Sequence, residues 1–198
     1  MTVREFLKAM RILQILPELN VGGVETGTVD FAKYLTAHRY ENVVVSGGGT
    51  LVRALEEAGI RHYTLTVHCK SLRGVRGLIR AVERIIREEK IDIVHARSRV
   101  PAWIAYFACR RTSAEFVTTC HGYYSNYLFS QVMGWGKRVI VPSEVIGRHM
   151  IDDFHVPAER IRVVPRGVDL ARFVPRQDAP AEQAARIAIL GRLSPLKG

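Results

Sequence analysis

A pair of glycines in the stretch "PELNVGGVE" follows the first strand-like run of the sequence. Gly22 and Gly23 lack Cβ atoms, so a ligand can approach the backbone closely at this point. A helical pattern begins immediately afterwards, and the free N–H groups and positive dipole end of a helix N-terminus favour a phosphate or another anion. The pair therefore predicts either an anion-binding loop or a plain glycine turn that starts a helix.

The glycine spacing argues against a nicotinamide cofactor. The loop does not have the pattern G-x-G-x-x-G, and the second strand-like run, "NVVVS", ends in a serine and glycines instead of an acidic ribose ligand. The cysteines have no metal-ligand spacing, and no carboxylate cluster is present. We therefore expect neither a cofactor nor a metal ion.

Histidines lie at the end of two further strand-like runs. His121 follows "TTC", where the carboxyl end of a parallel strand would let it donate a hydrogen bond to a substrate hydroxyl or phosphate. His95 has a similar position in "IDIVHA", but polar residues follow it, and we expect it to be structural. Arg97 and Arg99 lie at the same mouth and could meet an anionic substrate. A lone histidine and exposed arginines are more often structural than functional, so both interpretations stay open.

The last loop, "GRLSPLKG", carries two cations directly after an apolar run. The Arg192 guanidinium and the Lys197 ammonium could converge there on a diphosphate. The order of residues is not that of a Walker A loop, which needs lysine followed by serine or threonine.

Short β-branched runs alternate with helical patterns along most of the chain. Continuous apolar strands separated by helices predict a parallel sheet covered on both faces, and right-handed crossovers make it a doubly wound, Rossmann-like α/β fold. In such a sheet ligands bind at the carboxyl ends of the strands. The expected strands are 11–16, 42–46, 61–67, 91–96, 115–122, 137–143 and 161–167, and the expected helices are 24–38, 51–59, 71–90, 101–111 and 144–154.

The character of the sequence changes near its end. Residues 172–185 contain two prolines and several alanines and predict a linker. A fresh strand and the cation loop follow over residues 186–198. We therefore expect one Rossmann-like domain over residues 10–171 and only the opening of a second.

The net charge of +10, from 29 Lys and Arg against 19 Asp and Glu, favours an anionic partner. The arginines are spread along the chain and accompany no nucleic-acid-binding motif, so we expect no nucleic acid partner. The apolar N-terminal piece is too short for a signal peptide, and the three cysteines are an odd number. These features predict a cytoplasmic protein with structural thiols.

Several of these stretches together resemble one family. "LPELNVGGVE", "VHARS", "TTCHG", "VIVPSE", "RIRVVPRGVDLARFVP" and "ILGRLSPLKG" occur in the order and at the spacing seen in the retaining GT-B glycosyltransferases of family 4. The resemblance covers residues 10–198 and implies two Rossmann-like domains that face each other across a cleft. The first would bind the acceptor and the second a nucleotide-sugar donor.

The resemblance also implies roles for individual residues. Gly22 and Gly23 would approach the donor phosphate and sugar, His121 would lie beside the transferred sugar, and Arg192 and Lys197 would neutralise the departing diphosphate. Contacts to the acceptor are expected from four residues, which are Asn20, Arg97, Ser98 and Tyr123. Most of the donor domain, including the family's pair of glutamates, is missing from the sequence, so we expect the chain by itself to be inactive or nearly so.

The positive charge would suit an anionic glycan or glycolipid acceptor of the lipopolysaccharide type, presented at the anionic inner face of the membrane. The aromatic stretch 122–135 could face that acceptor or the membrane, or form a partly buried helix. Two other functions compete with a transferase. One is a basic module that binds nucleic acid or anionic lipid without catalysis, and the other is a GT-B-like sugar-nucleotide epimerase, against which the "GGVE" and "PRGVDLARF" stretches argue.

Overall fold

The computed structural model describes residues 10–67, 72–125, 128–167, 170 and 173–174. The chain divides into two compact units, Met1–Arg166 and Gly167–Gly198, and the first is described below. The expected linker over 172–185 and the strand and cation loop over 186–198 lie almost entirely outside the described residues, so that domain boundary stays a prediction.

Seven parallel strands form one sheet in the order β3-β2-β1-β4-β5-β6-β7, which confirms the doubly wound, Rossmann-like fold. Most of the strands are rich in valine, isoleucine or threonine, residues that pack well on a pleated surface. The strands are β1 (Arg11–Ile15), β2 (Glu41–Ser46), β3 (Arg61–Thr64), β4 (Ile93–Ala96), β5 (Glu115–Thr119), β6 (Arg138–Val141) and β7 (Ile161–Val163).

Helices cover both faces of the sheet, as expected for parallel strands joined by crossovers. Five α-helices are described, namely α1 (Gly23–Ala37), α2 (Val52–Glu56), α3 (Leu72–Glu88), α4 (Arg99–Cys109) and α5 (Glu144–Asp152). Helix α4 begins two residues earlier than predicted, because Pro101 lies in its first turn, where a missing N–H breaks no helical hydrogen bond.

Two hydrophobic clusters lie on opposite faces of the sheet. Alternate residues of a strand point to opposite faces, so Val43 and Val45 of β2 join one cluster and Val44 joins the other. Helices α3, α4 and α5 pack on the first face, and α1 and α2 pack on the second. Cys109 and Cys120 are buried free thiols whose pKa burial raises to about 12 in each case, so both are structural, as expected.

Several strands are shorter than predicted. Strand β3 ends at Thr64, because the backbone N–H of Val67 donates to the carbonyl of Leu65 and turns the chain away from the sheet. The aromatic stretch forms a 3₁₀-helix over Leu128–Gly134. One side of this helix is buried through Val132 and Met133, whereas Leu128 and Phe129 are exposed, so it is both partly buried and partly open to solvent.

Candidate functional site

The chain reverses its direction across the sheet between β1 and β4, which are neighbours although β2 and β3 separate them in sequence. The loops that leave these two strands run to opposite faces and open a crevice at the carboxyl edge of the sheet. The first loop contains Gly22 and Gly23, and the second contains Arg97 and Ser98. The sequence therefore placed its candidate residues at the position where this fold binds ligands.

The loop after β1 is held by the loop after β2. Backbone N–H groups of Leu19 and Leu51 pair these loops, with donor–acceptor distances of 2.8 Å to Gly48 and to Leu19 respectively. Gly49 lies against them with φ +142°, and a Cβ at this position would lie 2.4 Å from the carbonyl carbon of Leu19. Asn20 accepts a hydrogen bond from the N–H of Thr50. The exposed Asn20 side chain therefore braces the loop, and it does not point only toward the crevice.

Gly22 is the N-cap of helix α1, with an extended backbone at φ −170° and no side-chain cap. The first N–H groups of α1 therefore have no capping side chain, as an anion-binding helix start requires. Ser98 is the corresponding N-cap of α4, and its side chain also makes no capping hydrogen bond. By contrast, the Ser143 hydroxyl accepts a hydrogen bond from the Ile146 N–H at the start of α5.

Arg97 lies under the first turns of α1. Its Nη1 donates to Gln14 Oε1 over 2.9 Å, and Gln14 is fully buried and donates in turn to the Thr28 carbonyl. The Nε–H of Arg97 is buried and has no hydrogen-bond partner among the described residues. Burial and the nearby Arg166 lower the pKa of Arg97 to about 10, so the guanidinium still carries its charge at neutral pH.

Arg166 is a site residue that sequence reasoning missed. Its Nη1 lies 2.5 Å from the position that a Cβ of Gly23 would occupy, so the guanidinium rests on the start of α1. Four strand spacings, about 19 Å, separate β7 from β1, so the segment after β7 must cross back over the carboxyl edge. The position of an arginine just after a strand could have suggested a role, but not this contact.

His121 follows β5 and its ring belongs to the same group of side chains. Its Nε2 is buried and makes no hydrogen bond to the described residues. Burial, Arg97 and Arg166 lower the pKa of His121 to about 4, so the ring is neutral at pH 7. His95 is buried, its Nε2 lies 2.6 Å from Thr119 Oγ1, and its pKa falls to about 3, mainly through burial. His95 is therefore structural, as expected, whereas His121 keeps a ring nitrogen free.

The loop that carries His121 is fixed by helix α5. His149 accepts a hydrogen bond from the Tyr124 N–H through Nε2, and its Nδ1 lies 2.7 Å from Asp153 Oδ2. Tyr123 is largely exposed and packs against the His149 ring, with 4.7 Å between ring centroids. The structure therefore holds the His121 loop firmly while it leaves the face of Tyr123 accessible.

Arg192 and Lys197 lie outside the described residues, so their expected diphosphate contacts stay predictions. Among the described residues no cluster of three or more histidine, cysteine, aspartate or glutamate side chains could hold a metal ion. Within the same part of the chain, none of the helices has the length and apolar character needed to cross a membrane.

An open pocket of about 390 Å³ lies at the opposite, amino edge of the sheet. Its lining includes Glu115 and Arg138, which are the first residues of β5 and β6. Ligands of parallel α/β sheets bind at the carboxyl edge, and the unpartnered nitrogens of His121 and Arg97 are found there. We therefore place the candidate site at the carboxyl edge.

Several solved structures of known proteins are similar to this chain. A glycosyltransferase from Rickettsia africae ESF-5 has 34% sequence identity and a TM-score of 0.75, over 87% of this chain and 47% of that protein. Anabaena HepE, solved in complex with UDP-glucose, has 22% identity and a TM-score of 0.67, over 82% of this chain and 45% of that protein. The lipopolysaccharide outer core galactosyltransferase WaaB has 18% identity and a TM-score of 0.64, over 87% of this chain and 51% of its own.

The chain thus spans about half the length of the solved structures it matches. UDP-N-acetylglucosamine 2-epimerases share the fold at 12–14% identity, so the fold alone does not separate a transferase from an epimerase. Curated protein sequences give no significant match. The model of Glycosyltransferase Family 4 matches residues 21–172, well over half of the sequence, and the chain therefore belongs to this family, with the fold of the N-terminal part of a GT-B glycosyltransferase.

Proposed function

We propose that this chain is the acceptor-binding half of a retaining glycosyltransferase that transfers a sugar from a nucleotide-sugar to a surface-glycan or lipopolysaccharide-type acceptor. Family membership supports a transferase over an epimerase or a non-catalytic basic module. The single observation that carries the proposal within the structure is His121, whose buried Nε2 lacks a partner beside two arginines and an uncapped helix start.

The state of the His121 ring suits contact with a sugar. Because its pKa is lowered to about 4, the ring is neutral at pH 7, and Nε2 either donates one hydrogen bond or accepts one. A buried polar atom without a partner costs free energy until a ligand satisfies it. A hydroxyl of the donor sugar would supply the missing hydrogen bond and orient the sugar for transfer.

The donor would be a nucleotide-sugar whose diphosphate gains charge as the sugar leaves. The first N–H groups of α1 behind Gly23 would stabilise that charge from this half of the enzyme, with Arg192 and Lys197 acting from the other side. HepE was solved with UDP-glucose, which supports a uridine nucleotide as the first donor to test. No cofactor and no metal ion enters this scheme.

Acceptor binding would use the loops around the crevice. Arg97 supplies a cation, Ser98 a free hydroxyl at the start of α4, and Tyr123 an exposed ring, while Asn20 shapes the loop after β1. The proposed acceptor is anionic, since the net charge of the chain is +10. The likeness to the galactosyltransferase WaaB supports a lipopolysaccharide-type acceptor.

An aromatic patch, formed by Trp103, Phe107, Phe129 and Trp135, would contact the inner face of an anionic membrane. Trp103 packs against the other three rings at centroid distances of 4.9–5.9 Å. The exposed fractions of Phe129 and Trp135 are 61% and 40%. Aromatic side chains favour the membrane interface, and neighbouring cations add attraction to anionic lipid. The protein would accordingly be cytoplasmic and peripheral to the membrane.

Sugar transfer tests the proposal. The chain is assayed alone and after fusion to a donor-binding domain of the same family, with labelled UDP-sugars and lipopolysaccharide-type acceptors. We expect little transfer by the chain alone and clear transfer by the fusion.

In the fusion, His121→Asn should lower kcat by about 100-fold, because it removes a hydrogen bond made near the reacting sugar. His38→Asn is the matched control, since His38 is exposed and lies at the end of α1. Equal transfer by the two variants, or full activity of the chain alone, would contradict the proposal.

A further inference from the structure

Two guanidinium groups lie one helical turn apart along the same side of α1. Arg166 Nη1 is 2.5 Å from the Cβ position of Gly23, and Arg97 Nη2 is 3.7 Å from the Cβ position of Gly27. Residues i and i+4 of a helix are neighbours on its surface. Gly23 therefore lets Arg166 approach the helix backbone closely, whereas a Cβ at Gly27 would make only ordinary van der Waals contact with Arg97. Both cations lie beside the positive end of the helix.

This arrangement is unfavourable unless an anion joins it. Cations are destabilised at a helix N-terminus. Burial and the nearby Arg166 both lower the pKa of Arg97. The Glu25 carboxylate lies beside Gly22 and offsets part of the positive charge of Arg97. Among the described residues, however, no carboxylate lies within 4.0 Å of either guanidinium.

The charges define the kind of anion that fits. Two guanidiniums, one carboxylate and a helix end of about half a charge leave an excess of about +1.5. A terminal phosphate group carries about −1.5 to −2 charges at pH 7, whereas a carboxylate carries only one. The buried Nε–H of Arg97 is an additional donor without a partner. Guanidinium groups also match the geometry of phosphate oxygens.

We propose that Arg166 and Arg97, seated on Gly23 and Gly27, form a binding site for a terminal phosphate group. The phosphate site itself does not depend on the proposed function, but the identity of the molecule that carries the phosphate rests on it. One source is the terminal phosphate of the nucleoside diphosphate, and the other is a phosphomonoester on the acceptor. Either way, Arg166 determines specificity for a phosphorylated substrate.

Inorganic phosphate is the direct probe. It is titrated into the 198-residue chain at low ionic strength, and the amide resonances of Gly23 and Gly27 are followed by NMR. We expect saturable binding with a Kd on the order of millimolar. Binding should also raise the pKa of His121, because a negative charge then lies near its ring.

Three variants separate the site from general charge effects. Arg166→Gln should raise the Kd for phosphate at least about tenfold, since it removes a charge-assisted contact. Gly23→Ala should also weaken binding without any change of charge, because its Cβ would displace the Arg166 guanidinium. Arg162→Gln removes an equal charge from the exposed residue of β7 and should leave the Kd nearly unchanged.

A second measurement distinguishes the two sources. In the fusion with a donor-binding domain, UDP binding is measured for wild type and Arg166→Gln. Weaker UDP binding in the variant assigns the site to the donor, and unchanged UDP binding together with lost phosphate binding assigns it to the acceptor.

The absence of phosphate binding in the wild-type chain, or equal binding by Arg166→Gln and Arg162→Gln, would overturn the proposal. Because these titrations involve no turnover, a fusion that binds phosphate but transfers no sugar would contradict only the proposed function.

Discussion

Gly49 lies where the loop after β1 packs against the loop after β2. Its replacement by alanine therefore tests both the stability of the fold and the geometry of the site, and two other glycines serve as controls. The residue has φ +142°, a conformation that L side chains rarely adopt, which costs about 1–3 kcal/mol. Its Cβ would also lie 2.4–2.7 Å from backbone atoms of Leu19 and Asn20. Backbone cannot rotate away as a side chain can, so we add about 1–3 kcal/mol for overpacking.

We therefore expect Gly49→Ala to lower the free energy of unfolding by about 2–6 kcal/mol and the Tm by roughly 5–20 °C. Gly59 and Gly77 provide the controls. Gly59 has φ +69° and no atom within 4 Å of its Cβ position, so Gly59→Ala should cost only the strain, about 1–2 kcal/mol. Gly77 is exposed within α3 with open space around it, so Gly77→Ala should stabilise by about 0.5–1 kcal/mol.

Urea denaturation followed by circular dichroism measures all three variants. The expected order of stability is Gly77→Ala above wild type, then Gly59→Ala, then Gly49→Ala. If Gly49→Ala were no less stable than Gly59→Ala, the close contact between the loops after β1 and β2 would be wrong.

Two further predictions concern acid stability and membrane contact. The pKa values of His95 and His121 lie below 6.5 in the folded state, so the unfolded state binds more protons as the pH falls from 6.5 toward 5 and the protein loses stability. Each histidine should add about 1.4 kcal/mol per pH unit to the slope of the urea-derived free energy of unfolding against pH. His121→Gln should remove the contribution of His121, and an unchanged slope in this variant would refute the buried, neutral ring. The double variant Phe129→Ser and Trp135→Ser should sediment less with phosphatidylglycerol vesicles than wild type or the exposed control Tyr34→Ser, and equal sedimentation would exclude the aromatic patch as the contact.

The fold could be predicted because the apolar runs of the sequence act locally. Strand β2 has three consecutive valines at its centre and β4 begins with isoleucine and valine, and buried parallel strands favour such residues. The glycine pair at 22–23 likewise indicated the start of α1, because a glycine changes the conformation of the backbone next to it and needs no distant contact to do so. The ends of strands were less predictable, because the turn after Thr64 is made by Leu65, Thr66 and Val67, none of which is a residue type that marks turns.

The composition of the site could be predicted only in part. His121 and Arg97 were indicated by their positions after β5 and β4, which the fold class alone brings to one edge. Arg166 could not be found in this way, because its contact with Gly23 depends on the path of the chain after β7. The support that Gln14 gives to Arg97 likewise depends on a polar residue in the middle of a buried strand, which resembles an ordinary strand residue in the sequence.

The measurement that tests the assignment of the site most directly is NMR mapping of UDP-glucose binding on the fusion of this chain with a donor-binding domain of the same family. We predict that the shifted resonances lie at the carboxyl edge of the sheet, at Gly22, Gly23 and the His121 ring. Shifts confined to the amino-edge pocket around Glu115 and Arg138, or no shifts at millimolar UDP-glucose, would contradict the assignment of the site.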